Sequence, residues 1–217
     1  MPPGWAIAKN NKEDQEAAMK LPPPKTEGTI SVEQAIGQRR TIRAFRPQML
    51  QLNQLSQLLW SAQGITGGSG YKRAAPSAGA LYPMDVYVVA GPDSVAQIET
   101  GVYRYEPTGH QLSPVTPQDA RNGVAKACLS QMWMAQAPVN LVITAEYSRI
   151  TRKYGNRGLR YAMIEAGHIG QNIFLQAEAL GLKAGIVGAY HDERLIEIMN
   201  IPRAHEPLLI MPIGHAA

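Results

Sequence analysis

Cysteine and long apolar runs are nearly absent from this sequence, and each absence excludes a class of protein. Cys128 is the one cysteine among 217 residues, so the chain can form neither an internal disulfide nor a thiolate metal site. Cys128 itself is predicted to be a small buried residue on a helix. No run approaches the ~18 uninterrupted apolar residues of a membrane-spanning helix, so no membrane span is expected.

The excess of positive over negative charge is also small. The formal net charge is +4, and there is no long Lys/Arg run or aromatic-interleaved basic stripe, which argues against nucleic-acid binding. The small positive excess suits an anionic ligand. The five histidines show no metal-ligand spacing, so no metal site is expected. The N-terminus has no signal-peptide pattern, so we expect a cytoplasmic protein, or an exported one if a targeting segment is missing from this chain.

The chain is predicted to consist of an arm and one domain. Residues 1–28 are polar and include Pro22-Pro23-Pro24, which predicts an extended N-terminal arm rather than a packed unit. Residues 29–217 are long enough to form a single domain with a sizeable core.

Helical and strand patterns are mixed within that domain. Helices are predicted to begin at Ser31, which has the capping-box form with Gln34, and near Asn53. Further helices are predicted at 117–136, 159–180 and 192–199, and strands at 86–90, 102–105, 139–145, 184–189 and 207–213. Because these elements follow no strict βαβ rhythm, we predict an α+β fold with a largely antiparallel sheet wrapped by helices.

Three arginines and a threonine lie within five residues, Arg39-Arg40-Thr41-Ile42-Arg43. The β-branched residues and the following Pro47 predict an extended chain, in which Arg39, Thr41 and Arg43 share one face. Arginine binds phosphate or the N/O edge of a ring through two parallel donors. This arginine segment is therefore either a row that binds an anionic ligand or a solvated basic turn.

A loop of small residues, Pro76-Ser77-Ala78-Gly79-Ala80-Leu81-Tyr82-Pro83, directly precedes an apolar strand. Its side chains from Ser77 to Ala80 are so small that a flat aromatic ring could lie against the backbone. The alternative is an ordinary loop that leads into a strand.

These two segments, in this order, resemble those of the nitroreductase family of FMN-dependent flavoproteins. The loop sequence, the hairpin Gly101-Val102-Tyr103-Arg104-Tyr105 and the stretch Lys153-Tyr154-Gly155-Asn156-Arg157-Gly158 are similar to its SagB-like, azoline-dehydrogenase (ThcOx-type) branch. The similar region continues through Glu165-Ala166-Gly167-His168 and covers about residues 29–215. The resemblance implies a nitroreductase-like α+β fold and a homodimer that shares its sites across the interface.

The resemblance also implies which residues bind FMN. Arg39, Arg40, Thr41 and Arg43 would hold its phosphate, ribityl chain and pyrimidine edge. Pro76, Ser77, Ala78, Gly79 and Ala80 would come from the partner subunit. The segment Gly185, Ile186, Val187 and Gly188 would cross the isoalloxazine, with the Val187 N–H near N5.

Gly167 and Gly170 on the long helix are expected to allow close contact with a helix of the other subunit.

This chain departs from most nitroreductases at two places. Ala80 stands where they carry an asparagine, and the chain ends in Gly214-His215-Ala216-Ala217 where they carry a basic segment that grips the phosphate. The arginine segment would therefore carry more of the phosphate affinity, unless another basic group contributes.

Lys153 and Tyr154 match a Lys-Tyr pair that azoline dehydrogenases of this branch use around the substrate. By this resemblance, Lys153 would stabilise the reduced cofactor and Tyr154 would relay a proton. The alternative is a basic surface loop, because several arginines lie nearby in sequence.

The expected function is that of an FMN-dependent oxidoreductase, with ping-pong two-electron transfer from NAD(P)H to an electron-poor acceptor such as a nitroaromatic or quinone. One alternative is an azoline dehydrogenase that acts on a heterocyclised peptide with the help of a partner protein. The other is a non-catalytic flavin-binding protein.

Overall fold

The computed structural model describes residues 18–68 and 70–217, which form one sheet with helices on both faces. The strands are β1 (Met19–Lys20), β2 (Met84–Ala90), β3 (Gly101–Glu106), β4 (Gln111–Thr116), β5 (Val139–Ala145), β6 (Lys183–Ala184) and β7 (Glu206–Gly214). The helices are α1 (Val32–Gln38), α2 (Leu52–Gln63), α3 (Arg121–Ala127), α4 (Ser148–Tyr154), α5 (Arg157–Ala179) and α6 (Asp192–Met199). The strand order is β1-β4-β3-β2-β5-β7-β6, and each neighbouring pair is antiparallel. The predicted α+β fold is confirmed.

The central strands β2 and β5 are buried along their whole length. Val86 and Val88 of β2 pack with α2 and α5, whereas Tyr87 and Val89 pack with α3 and α6. Successive side chains alternate between faces because a strand has a two-residue period. Burial on both faces also explains why these antiparallel strands have nearly continuous apolar sequences, which is otherwise more typical of parallel sheets.

Two predicted elements differ from the structure. Residues 117–136 do not form one helix: α3 ends at Ala127, and Leu129 and Ser130 then adopt left-handed backbone with φ of 54° and 59°. A 3₁₀ turn comes next, at Met132–Gln136. Of the predicted strand at 184–189, only Ala184 belongs to a strand, β6, and Val187 adds a single bridge to Ile210.

The long helix α5 is close to its predicted range of 159–180 and buries one face against the sheet. Ala162, Ala166, Ile169 and Ile173 face the core, while Met163 on the outer side is 58% exposed.

Cys128 is buried after α3, as predicted, and burial raises the pKa of its thiol to about 12.

Residues 1–17 of the predicted arm lie outside the described residues. The part from 18 to 28 is attached to the domain, since Met19–Lys20 pairs with β4 and the Ser56 hydroxyl donates to the Pro22 carbonyl at 2.6 Å. No helix in the described part of the chain is both long and apolar enough to cross a membrane.

Candidate active site

The sheet topology brings the Pro76–Pro83 loop next to α4. Met84 at the start of β2 pairs with Ala145 at the end of β5. The loop before β2 therefore meets the segment after β5, and the Glu146 N–H donates to the Pro83 carbonyl at 2.8 Å. The loop that was predicted to bind a cofactor and the helix that carries the predicted catalytic pair thus share one end of the sheet.

Gly79 is the point where this loop contacts Lys153 and Tyr154, the predicted catalytic pair. Its φ is +63°, in the left-handed region that favours glycine. A Cβ at this position would lie 2.7 Å from the Tyr154 hydroxyl oxygen and 3.0 Å from Lys153 Nζ. Lys153 Nζ also lies 5.3 Å from the centroid of the Tyr154 ring, and that ring packs edge-on against Tyr161. The structure therefore brings together the predicted loop and both predicted catalytic residues.

The loop backbone is fixed by its own hydrogen bonds. The Ala80 N–H donates to the Ser77 carbonyl at 3.1 Å, and the Tyr82 N–H donates to the Ser77 hydroxyl at 3.0 Å. Ala80 and Tyr82 both adopt positive φ, of 53° and 47°. The Arg73 guanidinium lies 4.4 Å from the Tyr82 ring centroid, which holds that ring from outside the loop.

A buried carboxyl group, Glu165 on α5, lies behind the loop. It is 1% exposed, and its Oε1 accepts a hydrogen bond from Gln63 Nε2 at 3.0 Å. Its Oε2 has no partner of standard hydrogen-bond geometry among the described residues. Burial raises the pKa of Glu165, while the Ser77 hydroxyl, Gln63 and the positive charge of Arg73 act in the opposite direction. Glu165 was not predicted as a site residue, although a glutamate on the buried face of a helix is an unusual residue that signals such a role.

The arginine segment lies elsewhere, along the outer edge of β6. It is extended, as predicted: Thr41 pairs in parallel with Ala184, and the Ile42 N–H donates to the Ala184 carbonyl at 3.0 Å. This pairing places residues 39–43 directly beside residues 185–188. A Cβ on Gly185 would lie 2.8 Å from the Ile42 carbonyl oxygen, so glycine permits the close approach.

None of the three arginines in this segment forms an ion pair with a described residue. The Arg39 guanidinium lies 5.1 Å from the Phe174 ring centroid on α5. Arg40 donates to the carbonyls of Gly37 and Arg39, at 3.0 and 2.8 Å, and Arg43 is exposed. Three uncompensated cations on one edge of the sheet are well suited to a phosphate group.

One predicted contact is wrong. The Val187 N–H donates to the Ile210 carbonyl at 2.8 Å and the Ile210 N–H returns a bond of 3.0 Å, so the Val187 amide is not available to a ligand. The amides of Ile186 and Gly188, on either side, make no hydrogen bond with a described residue, and Gly188 is exposed with open space around it. The error has a simple cause, because the pairing register with β7 decides which amides point outward.

The predicted Gly167–Gly170 contact with another helix is also wrong for Gly170. A Cβ on Gly170 would lie 3.3 Å from Leu209 Cδ1 and 3.7 Å from the Met211 sulfur, so this glycine packs against β7 of its own chain. Gly167 is exposed, with no atom near its missing side chain.

The two predicted halves of the site lie at different positions along α5. Glu165 contacts the loop half, whereas Phe174 contacts the arginine half. Nine residues of helix separate them, which is about 14 Å at 1.5 Å per residue. The two halves therefore contact α5 at positions more than two turns apart.

A charged network that sequence analysis missed anchors α4 to the sheet. Asp85 on β2 is 7% exposed, and Arg104 Nη2 of β3 contacts its Oδ1 at 2.7 Å. Arg149 on α4 contacts Asp85 Oδ2 at 2.8 Å and Glu146 Oε2 at 2.7 Å. Since Arg149 lies one turn before Lys153, these ion pairs help to fix the position of Lys153 and Tyr154, the predicted catalytic pair. The signal in the sequence was an aspartate inside an otherwise apolar strand.

His205 completes this network on the side of β7. Its Nδ1 lies 2.6 Å from the Tyr87 hydroxyl, and burial lowers the pKa of the imidazole, which favours the neutral ring. Asp85, Glu146 and His205 have potential metal-ligand atoms within 4.8 Å of one another. Both carboxylates are already paired with arginines, so the group has the chemistry of an ion-pair network rather than of a metal site.

Comparison with known proteins identifies the class to which this fold and site belong. Residues 36–215 match the model described as "Nitroreductase family". The chain belongs to this family, and it is therefore an oxidoreductase by membership.

Individual relatives agree with this assignment. A protein of Methanocaldococcus jannaschii that is named as a nitroreductase is 41% identical over 185 residues, which cover 85% of this chain and 91% of that protein. A nitroreductase-type structure from Ralstonia eutropha superposes with a TM-score of 0.81 at 30% identity, covering 94% of this chain and 92% of the other. The microcin B17-processing protein McbC of Escherichia coli is 28% identical over 169 residues, which cover 76% of this chain and 62% of McbC. The last similarity agrees with the resemblance to the SagB-like branch.

Proposed function

We propose that this protein is an FMN-dependent oxidoreductase that transfers two electrons from NAD(P)H to an electron-poor acceptor such as a nitroaromatic or quinone. The observation that carries the proposal is the parallel pairing of Thr41 with Ala184, which brings the arginine segment next to residues 185–188. This pairing places three uncompensated arginines beside two free backbone amides, in a chain of the nitroreductase family.

The residues at this edge fit FMN. Arg39, Arg40 and Arg43 provide positive charge without a competing acid for the phosphate. The free amide of Ile186 or Gly188, rather than that of Val187, would donate to the isoalloxazine ring. Gly188 leaves open space in which a planar ring can approach the backbone. FMN, when bound, supplies the two-electron chemistry, and the protein supplies orientation and electrostatics.

A second copy of the chain would complete the site. Within one protomer the Pro76–Ala80 loop and the arginine segment contact α5 about 14 Å apart, so the loop of a second copy would lie over the cofactor held by the first. The outer face of α5 favours such a dimer, because Met163 and Ile164 are 58% and 50% exposed. Exposed apolar side chains on a long central helix are typical of a subunit interface.

In this arrangement Lys153 and Tyr154 act on the substrate side of the cofactor. Both contact Gly79, so they would arrive with the loop of the second copy. The Lys153 ammonium group would stabilise negative charge that develops during reduction, and the Tyr154 hydroxyl would exchange a proton with the substrate.

A second candidate function is azoline dehydrogenation of a heterocyclised peptide. The similarity to McbC and the Lys153–Tyr154 pair favour it. The matched region spans 62% of McbC, so a partner protein would supply peptide recognition.

Titration with FMN, followed by turnover, tests the proposal and separates these functions. Purified protein should bind one FMN per chain and oxidise NADH or NADPH when a quinone such as menadione is added. Oxidation of a thiazoline-containing peptide with oxygen, and no quinone reduction, would favour the second candidate. Stoichiometric FMN without any turnover would identify a flavin-binding protein, and a protein that binds no FMN would contradict all three functions.

A further inference from the structure

A second short segment of this chain, besides the arginine segment at residues 39–43, is rich in positive charge. Residues 147–164, between Glu146 and Glu165, contain five cations and no acid; the cations are Arg149, Arg152, Lys153, Arg157 and Arg160. The arginine segment is one cationic region of the chain, and the five cations of residues 147–164 form another.

Four of these cations form an exposed surface, which we call the 152–160 patch. Arg149 points inward to Asp85 and Glu146. Arg152, Lys153, Arg157 and Arg160 are exposed, and none of them forms an ion pair with a described residue. They come from the last turn of α4 and the first turn of α5, which are joined by the corner at Gly155–Asn156.

The patch borders the proposed active site. Lys153, one of its members, contacts Gly79 of the small-residue loop. A molecule that reaches the loop therefore passes through a region of uncompensated positive potential.

We propose that the 152–160 patch binds an anionic group, a phosphate or a carboxylate, on a substrate of this site, and so selects anionic over uncharged substrates. The proposal rests on the proposed oxidoreductase function. Its physical basis is that a group of cations without neighbouring acids creates a positive potential. This potential raises the local concentration of anions. At physiological ionic strength this attraction extends over about 8 Å, so it acts on a group close to the patch. The anionic group could belong to the electron donor, as the 2′-phosphate of NADPH, or to the acceptor.

Matched pairs of probes separate these two sources. NADPH and NADH differ by the 2′-phosphate, and 4-nitrobenzoate and 4-nitrobenzamide differ by the carboxylate charge. The variant R152Q/R157Q/R160Q removes three charges and leaves Lys153 in place. The control R194Q removes an exposed charge from α6, on the opposite face of the sheet.

For the wild type we expect kcat/KM to be about tenfold higher for the member of one pair that carries the extra negative group, with a preference that declines as salt is raised. The triple variant should lose this preference while the member that lacks the extra negative group reacts as before, and R194Q should behave as the wild type. A change confined to NADPH assigns the patch to the donor, and a change confined to nitrobenzoate assigns it to the acceptor. Equal reactivity of both members in the wild type, or an unchanged preference in the triple variant, would overturn the proposal.

Binding measurements keep this test independent of turnover. Calorimetric titration should show that adenosine 2′-monophosphate binds more tightly than adenosine, or nitrobenzoate more tightly than nitrobenzamide, and that the triple variant abolishes the difference. If the wild type turns over no donor but retains this binding preference, the oxidoreductase proposal fails and the anion site stands. If the triple variant instead dissociates a dimer without altering either preference, the patch is a subunit contact and the proposal is overturned.

Discussion

The Tyr154 hydroxyl occupies the space that a side chain at Gly79 would need, with only 2.7 Å between its oxygen and an ideal Cβ. Gly79→Ala should therefore displace Tyr154 and Lys153 as well as strain the left-handed backbone. We expect a loss of turnover together with about 1–2 kcal/mol of unfolding free energy. Steady-state kinetics and urea unfolding would measure the two effects.

Gly67→Ala is the matched control for this change. Gly67 also has positive φ, of 77°, but no atom lies within 4 Å of its missing Cβ. It should lose a similar amount of stability and keep its activity. Equal losses of activity in both variants would show that backbone strain, rather than the contact with Tyr154, is responsible.

Asp85→Asn should destabilise the protein by removing the shared partner of Arg104 and Arg149. The two arginine side chains are 35% and 29% exposed, so water screens part of the loss. We expect about 2–3 kcal/mol, below the 3–5 kcal/mol typical of a fully buried pair. Chemical denaturation would measure the change, and the exposed Asp93→Asn should show almost none. A stability equal to that of the wild type would mean that the network does not anchor α4.

Glu165 should make stability depend on pH. Burial raises the pKa of Glu165 in the folded state above its ordinary value of 4.5. In the interval between the unfolded and folded pKa values, the folded protein holds the extra proton, so the free energy of unfolding contributed by this group falls as pH rises. Glu165→Gln cannot ionise and should escape this loss.

The stability of Glu165→Gln relative to the wild type should thus increase from pH 4 upward and level off above the folded pKa. Unfolding by urea at several pH values would show it, with the exposed Glu193→Gln as control. A difference that does not vary with pH would show that Glu165 has the same pKa in both states.

The accuracy of sequence-based prediction varied with the physical origin of each feature. The bounds of β5 and α6 were predicted correctly, because Val139–Ala145 is apolar throughout and Asp192–Met199 has a clear helical pattern. The helix α4 was missed, since Ser148–Tyr154 contains little apolar periodicity and is held by the ion pairs of Arg149. The availability of the Val187 amide depends on its register with β7, which no local pattern encodes.

The predicted site residues likewise show which features local sequence predicts and which depend on long-range packing. The extended arginine segment and the small-residue loop were predictable from local sequence. Their separation along α5, and the contact between Gly79 and Tyr154, result from strand order and helix length. The predicted roles of these residues in binding FMN stay predictions.

Arg39→Ala should weaken FMN binding without unfolding the protein. A charge-assisted hydrogen bond to phosphate is worth about 1.5–3 kcal/mol. Fluorescence titration with FMN would measure the loss. Arg46→Ala, an exposed arginine farther along the same extended segment, should bind FMN as the wild type does. Equal affinities for the Arg39 variant and the wild type would show that Arg39 does not contact the phosphate.

The central claim is that each FMN site combines the arginine segment of one chain with the loop of another, and mixed dimers test it directly. One variant, R39A/R43A, damages the arginine half, and G79A damages the loop half. When the two variants are co-expressed, one of the two sites in each mixed dimer combines two undamaged halves. We therefore predict that about one quarter of wild-type NAD(P)H-dependent turnover returns, although each variant alone is inactive. If the mixture remains as inactive as either parent, both halves belong to one chain and the shared-site account is contradicted.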